Sequence, residues 1–230
     1  RARSAPARRG PGTQYGDRVL FELVQNGHDA HVATAAEGAG EIAVRLLISA
    51  DDRGELLVAN RGRSFTRSNL DAVINIGTSD KRIGEGIGNK GLGFRSVLQL
   101  TDWPEIYSKT DAASKDFDGY CFRFATPADV ASLVPDATLA QDVVSKVSPL
   151  ALPVPARGDD VLVRKLGIKG FSTVVRLPLR NQRAREAAIE QLKALAEHDV
   201  PVLLFLDRLS SVAVQCKTED PWRHVLRRDE

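Results

Sequence analysis

Phe21-Glu22-Leu23-Val24-Gln25-Asn26-Gly27-His28-Asp29-Ala30 is the stretch whose reading decides the rest. As a helix it turns about 100° per residue. Glu22, Asn26 and Asp29 then share one face, within an arc of roughly 60°. Val19, Leu20, Leu23, Val24 and Gly27 fall beside or opposite that arc and pack inward, while Arg18, Gln25 and His28 meet water. One helix thus presents an acid, an amide and an acid in a row against an apolar flank. An ordinary surface helix has the same pattern, so the stretch gains meaning only from its companions further along the chain.

Working outward, residues 1–14 are a basic lead-in rich in Arg, Ala, Pro and Gly, a composition that stays disordered. The helix is expected over about 15–35. Glu41–Ala50 and Glu55–Asn60 read as two strands of a hairpin, turned at Asp51-Asp52-Arg53-Gly54. A short helix comes after Thr66, a residue suited to cap it. Helical spacing resumes over Phe94–Leu100. Trp103–Ser108 and Tyr120–Phe124 read as strands, and about 125–158 as an insertion with one short helix near 139–147. Strands are expected at Val161–Leu166 and Ser172–Leu179, an amphipathic helix at Arg183–His198, a buried apolar run at Pro201–Leu206 and a last strand at Leu209–Gln215. The main domain is placed at 15–216, with 217–230 as a linker to a downstream region.

The 230 residues are enough for a real core. Lys plus Arg total 32 against 30 Asp plus Glu, which gives no general polyelectrolyte signal. The basic excess lies at the two ends, so nucleic acid is a partner without further support. No run reaches the roughly 18 apolar residues of a membrane span. The two cysteines, Cys121 and Cys216, make neither a disulfide framework nor a zinc site, and a reducing cytoplasm is the expected compartment. The chain has no Met, not even at position 1, and is expected to be a piece of a longer protein.

The second informative stretch is Gly77-Thr78-Ser79-Asp80-Lys81-Arg82-Ile83-Gly84-Glu85-Gly86-Ile87-Gly88-Asn89-Lys90-Gly91-Leu92-Gly93. So many glycines argue for a mobile loop. Its backbone N–H groups, running into the helix near Phe94, form an anion pocket to which Lys81 or Lys90 adds a point charge. Rival phosphate motifs fail on context. Gly86-x-Gly88-x-x-Gly91 fits the dinucleotide pattern, but no strand precedes it. Gly86 and Gly91 have Walker spacing, but Leu92 stands where Lys is required. A kinase glycine loop wants Val where Gly93 stands.

Glu22-x-x-x-Asn26-x-x-Asp29-Ala30, then Asn60-x-Gly62, then Gly88-x-x-Gly91-x-Gly93-Phe94-x-Ser96 together resemble the GHKL ATPase superfamily. Thr173-Val174-Val175-Arg176-Leu177-Pro178-Leu179-Arg180 and Leu203-Leu204-Phe205-Leu206 are most similar to its sacsin and NO VEIN-type branch. The resemblance covers about residues 15–215. It implies an α+β Bergerat fold: a two-layer α/β sandwich with a mixed, mostly antiparallel sheet and helices on one face. It also implies bound ATP with Mg²⁺, held through the side-chain oxygen of Asn26, and Glu22 as the group that orients or deprotonates water. Asp29 would support the site, although helix capping or surface pairing explains it equally. Gly88, Gly91 and Gly93, with Leu92 and Phe94 between and after them, would wrap the phosphates. Gly77, Thr78, Ser79, Lys81 and Lys90 would belong to the lid, and Thr173 would lie near the base. The sequence departs from the family where Asp-x-Gly-x-Gly is usual: Asn60, Gly62 and Ser64 stand there. Asn60 keeps a carbonyl acceptor but loses the charge, so weaker or less selective adenine binding is expected.

That resemblance implies three functions. One is a slow Mg²⁺-dependent ATPase acting as a conformational switch, with downstream domains of the same chain and a homodimer as partners. Another is a nucleotide-sensing module that does not hydrolyse. The last is a histidine-kinase-like phosphotransferase, disfavoured by Glu22 where those enzymes carry Asn.

Overall fold

Apolar residues alternate along 42–46, and so do those along 56–59, which gives each strand two different sides. Ile42, Val44 and Leu46 join Leu56 and Val58 in one core, while Ala43 joins Leu57 and Ala59 in another. The computed structural model describes residues 18–32, 39–48, 53–78, 92–157, 160–197 and 202–228. In chain order these form α1 (Val19–Val32), β1 (Gly40–Leu47), β2 (Glu55–Asn60), α2 (Arg67–Thr78), α3 (Leu92–Arg95), β3 (Glu105–Ser108), β4 (Phe122–Phe124), α4 (Pro127–Leu133), α5 (Ala137–Lys146), β5 (Pro153–Pro155), α6 (Val161–Ile168), β6 (Thr173–Pro178), α7 (Gln182–Ala196), β7 (Leu209–Lys217) and β8 (Trp222–Arg227).

The strands make one eight-stranded sheet in the order β5-β4-β3-β6-β2-β1-β7-β8. β1 and β7 run parallel, and the other neighbouring pairs are antiparallel. The fold is therefore α+β with a mixed, mostly antiparallel sheet, as the sequence led one to expect. The hairpin of β1 and β2 closes through Gly54, whose φ of +89° suits glycine. α1 and α7 lie on the face made by Ile42, Val44, Leu56 and Val58. Val19, Leu20, Leu23 and Val24 from α1 meet Ala184, Ala188, Leu192 and Leu195 from α7 in that core. The inward flank read from the α1 sequence is thus the buried one. Asn181 caps α7 by accepting from the Ala184 N–H at 3.0 Å. At the start of α2, Thr66 and Asn69 bond reciprocally: Thr66 N–H to Asn69 Oδ1 at 2.8 Å and Asn69 N–H to Thr66 Oγ1 at 3.4 Å.

Several local expectations are corrected. Residues 161–166 form α6, not a strand. Asp160 Oδ1 accepts from the N–H groups of Leu162 (2.8 Å) and Val163 (3.2 Å), which fixes a helix start. Val163 and Leu166 then bury against the second face of the sheet, beside Leu57, Ala59 and Val174. That face therefore carries a helix of its own over part of its width. The insertion holds two helices, α4 and α5, together with β5. Thr126 and Asp129 close a capping box on α4, and Asp136 caps α5. Residues 222–227 are not linker but β8, paired with β7 along its whole length. The helix read at Phe94–Leu100 is α3 followed by a 3₁₀ turn at Ser96–Gln99. In the 201–206 run Leu203 and Leu206 are buried, but Leu204 and Phe205 are more than two-thirds exposed.

Candidate functional site

Asn60, at the end of β2, faces Thr173 of β6, and Thr173 faces Ser108 of β3. The three lie on the sheet face that α1 covers, since their neighbours Ala59, Val174 and Tyr107 point into the second core. Where that face is otherwise apolar, this end is polar. Thr173 is buried, and its Oγ1 lies 3.3 Å from Ser108 Oγ. Ser108 Oγ also accepts from the Phe65 N–H at 2.8 Å.

The loop after β2 is held tightly. Asn60 Oδ1 accepts from the Gly62 N–H at 3.1 Å, an Asx turn. Ser172 donates its N–H to Asn60 O at 2.9 Å, and its Oγ bonds the carbonyls of both Asn60 and Gly62. With one lone pair of Oδ1 used by this N–H, the Asn60 amide keeps a second lone pair and its NH₂ donors.

α1 sits directly over this loop. A Cβ on Gly27 would lie 2.7 Å from Ile42 Cδ1 and 3.4 Å from Asn60 Cβ. A Cβ on Gly62 would lie 2.6 Å from the carbonyl carbon of Ala30. Arg63 N–H donates to Ala30 O at 2.9 Å. Gly27 therefore lets the helix settle on the Ile42 and Asn60 side chains, and Gly62 lets the loop meet the helix backbone to backbone. The N-terminal end of α1 is anchored separately, by the Leu20 N–H donating to Oε1 of the buried Gln191 at 3.0 Å.

Along α1, Glu22 is half-buried, and Asn26 and Asp29 are exposed. Asp29 Oδ1 lies 3.3 Å from His28 Nδ1, and His28 Nε2 lies 2.9 Å from Asp207 Oδ1. His28 is thus engaged rather than turned to water, and its hydrogen bond holds the Asp207 carboxyl below the usual range. His31 is buried; its Nδ1 donates to Gly27 O at 2.7 Å, and its Nε2 has no partner among the described residues. Burial pushes this imidazole down, against the raising effect of the Gly27 carbonyl.

Of the glycine-loop candidates, Gly77 and Thr78 end α2, while Leu92, Gly93 and Phe94 lie in α3. Phe94 is buried in the main core, and α3 packs against α1 and α2. The C-terminal end of the loop thus leads into a helix that lies against α1. Ser79, Lys81, Gly88, Lys90 and Gly91 lie outside the described residues. Among the described residues, no group of three or more His, Cys, Asp or Glu could hold a metal by itself. An isolated amide oxygen such as that of Asn26 suits Mg²⁺ in a different way, as one hard ligand beside phosphate oxygens and water.

The structure sets Asn60 beside Thr173 and seats Gly62 against Ala30 of α1, while Glu22, Asn26 and Asp29 lie along α1, half-buried or exposed. Sequence reasoning finds all six. It does not find Ser108, Ser172, Gly27 or Gln191. Ser108 and Ser172 have no local signal. Gly27 has one, since a glycine inside a helix needs a packing reason.

A mixed eight-stranded sheet, with α1 laid over its polar end, defines a two-layer α/β sandwich domain. The profile of the Sacsin domain family matches residues 13–224, nearly the whole chain, and the chain belongs to that family. It is also similar to Protein NO VEIN of Arabidopsis thaliana, 26 % identical over 206 residues. That match takes in 87 % of this chain but 7 % of the length of the relative. No helix among the described residues is long and apolar enough to cross a membrane.

Proposed function

We propose that this domain is a GHKL-type nucleotide-binding module that binds ATP with Mg²⁺ and hydrolyses it slowly, as a conformational switch inside a longer protein. The observation that carries this reading is the seating of α1. Gly27 and Gly62 let α1, the helix that carries Glu22 and Asn26, come close to the end of β2 and its loop, beside the polar row of Asn60, Thr173 and Ser108. A chain that needed only a packed helix there would gain more from apolar residues in that row.

In this reading each residue has a bounded task. Asn26 would hold the metal through its amide oxygen, and Mg²⁺ when bound offsets phosphate charge. Glu22, one turn earlier and half-buried, would orient a water and accept its proton. The Asn60 NH₂ group and the Thr173 hydroxyl would face the base. The loop from Gly77 to Gly91, flanked by α2 and α3, would close over the phosphates.

The test is Glu22→Ala. Calorimetric titration with ATP and Mg²⁺ should give an affinity close to the parent's, while phosphate release falls by about 10²-fold or more. Full turnover in this variant overturns the mechanism, and absence of heat at millimolar ATP in the parent overturns the binding reading.

A second reading, ATP binding without hydrolysis, is favoured by one observation: Asn60, with its Oδ1 accepting from Gly62, offers the base a neutral amide instead of a carboxylate. Titration of the parent with a non-hydrolysable analogue, beside the phosphate-release assay, separates the two.

A further inference from the structure

At one level across the sheet Glu105, Arg176, Leu57, Arg45, Gln215 and Arg223 stand side by side, on β3, β6, β2, β1, β7 and β8. All six belong to the face opposite α1 and α7. The row has two unlike halves. Near β6 its charge is settled: Arg176 Nε meets Glu55 Oε2 at 2.5 Å, its Nη1 meets Glu105 Oε2 at 3.1 Å, and Asp160 Oδ2 approaches to 3.9 Å. Asp160 is the cap of α6, the helix that covers this half with Val163 and Leu166.

On β1, Ala43 still belongs to the core that α6 closes, but β7 and β8 have no such cover among the described residues. Arg45 is half-buried and Arg223 exposed, and neither guanidinium has a hydrogen-bond or ion-pair partner among the described residues. Burial, and the charge of Arg223 nearby, both push the Arg45 guanidinium below its ordinary value. Lys217 and Arg227, both exposed, add charge on the same face, while Glu41 is already paired with Arg61 at 2.8 Å. Gln215 stands between the two arginines, and next along the same face of β7 come the short side chains Ala213 and Ser211.

We propose that this open half is a docking surface for an acidic helix of a protein partner, with carboxylates that pair with Arg45 and Arg223. The covered half is the precedent: there a helix lies on the sheet, fills it with apolar side chains and delivers a carboxylate to the arginine of the same row. The short residues Ala213 and Ser211 beside the row let a helix approach. Two strand steps separate Arg45 from Arg223, about 9.5 Å, and carboxylates at i and i+7 of a helix stand about 10.5 Å apart. Single-stranded nucleic acid fits less well, because the described residues of this half carry no aromatic side chain on which bases could stack; Trp222 points to the other face, beside Cys216. The proposal is independent of the nucleotide reading.

The experiment uses fluorescence anisotropy on the whole chain. The probe is an alanine-based helical peptide with Glu at i, i+7 and i+14. It should bind the parent about tenfold more tightly than a peptide of the same composition with its Glu residues spread around the helix. Arg45→Glu with Arg223→Glu should lose that binding and gain the Lys counterpart of the peptide. Arg164→Glu, on α6, should change neither, and circular dichroism checks that each variant is folded. Equal affinity for both Glu peptides, or an unaffected double variant, overturns the proposal. Tighter binding of a short RNA or DNA duplex than of the peptide, lost in the same double variant, overturns the assignment of a protein partner.

Discussion

Under α1 and α7 the sheet offers Ile42, Val44, Leu46, Leu56 and Val58, none more than 4 % exposed. On its back, from the same strands and their neighbour β6, it offers Arg45, Glu55, Leu57 and Arg176. The first face is held by area removed from water, which has no direction and adds up over many contacts. The second has a smaller apolar cluster under α6 and, beside it, paired charges whose attraction is offset by the loss of hydration. What the two faces teach is a division of labour. The apolar face supplies stability and carries the helix with Glu22 and Asn26. The charged row penalises error, because a slip of one residue in β6 would turn Arg176 into the main core.

That contrast can be broken most forcefully at Arg176. Arg176→Ala leaves Glu55, whose side chain is 8 % exposed, without its cation. A loss of about 3–5 kcal/mol is expected from urea unfolding. Replacing Glu55, Glu105 and Arg176 together by apolar residues of similar size should leave the protein about as stable as the parent, or more so. If the triple variant is as weak as the single one, the charges are a main source of stability and the contrast fails. On the apolar face, Leu192→Ala empties a fully buried position, at a cost of about 2–5 kcal/mol; thermal unfolding measures it.

Where the polar end meets α1 the expected effect is smaller. Gly62→Ala forces a Cβ to within 2.6 Å of the Ala30 backbone, so the helix must lift or the loop must move. About 1–3 kcal/mol should be lost. If nucleotide binds there, its affinity, read by calorimetry, should fall in the same variant. The mildest test is pH. His31 is held below the ordinary imidazole value of about 6.5 by burial. As pH falls through 6.5 the unfolded chain takes up this proton first, so stability drops with falling pH until the folded protein also protonates. Urea midpoints at a series of pH values should show that slope, and His31→Gln should remove its share.

Legibility tracks the range of the forces involved. α1 is readable because Val19, Leu20, Leu23 and Val24 recur at helical spacing. The hairpin of β1 and β2 is readable from two apolar runs around Asp and Gly. α6 is not, because Val-Leu-Val-Arg-Lys-Leu is short and β-branched, and such a run suits a strand or a buried helix alike. The Asp160 cap and the space over Leu57 and Val174 settle it. β8 reads as linker because Trp222–Arg227 is charged and only half-buried, as an edge strand can be. Of the site, the α1 residues are legible from their spacing. Ser108 and Ser172 are not, since their neighbours come from strands more than 40 residues away in sequence.

The sequence by itself determined the elements that carry their own periodicity, α1, β1, β2 and α7, and the pairing of an acid with an amide on one helix face. Those signals are local, written in the 3.6- and 2-residue repeats of apolar side chains. Only the tertiary structure decided the strand order, the parallel seating of β7 against β1 and the row of Asn60, Thr173 and Ser108. It also decided which half of the charged row is neutralised. Those depend on strands far apart in the chain pairing in one register, and register is set by which side chains can share a face, something no short stretch contains.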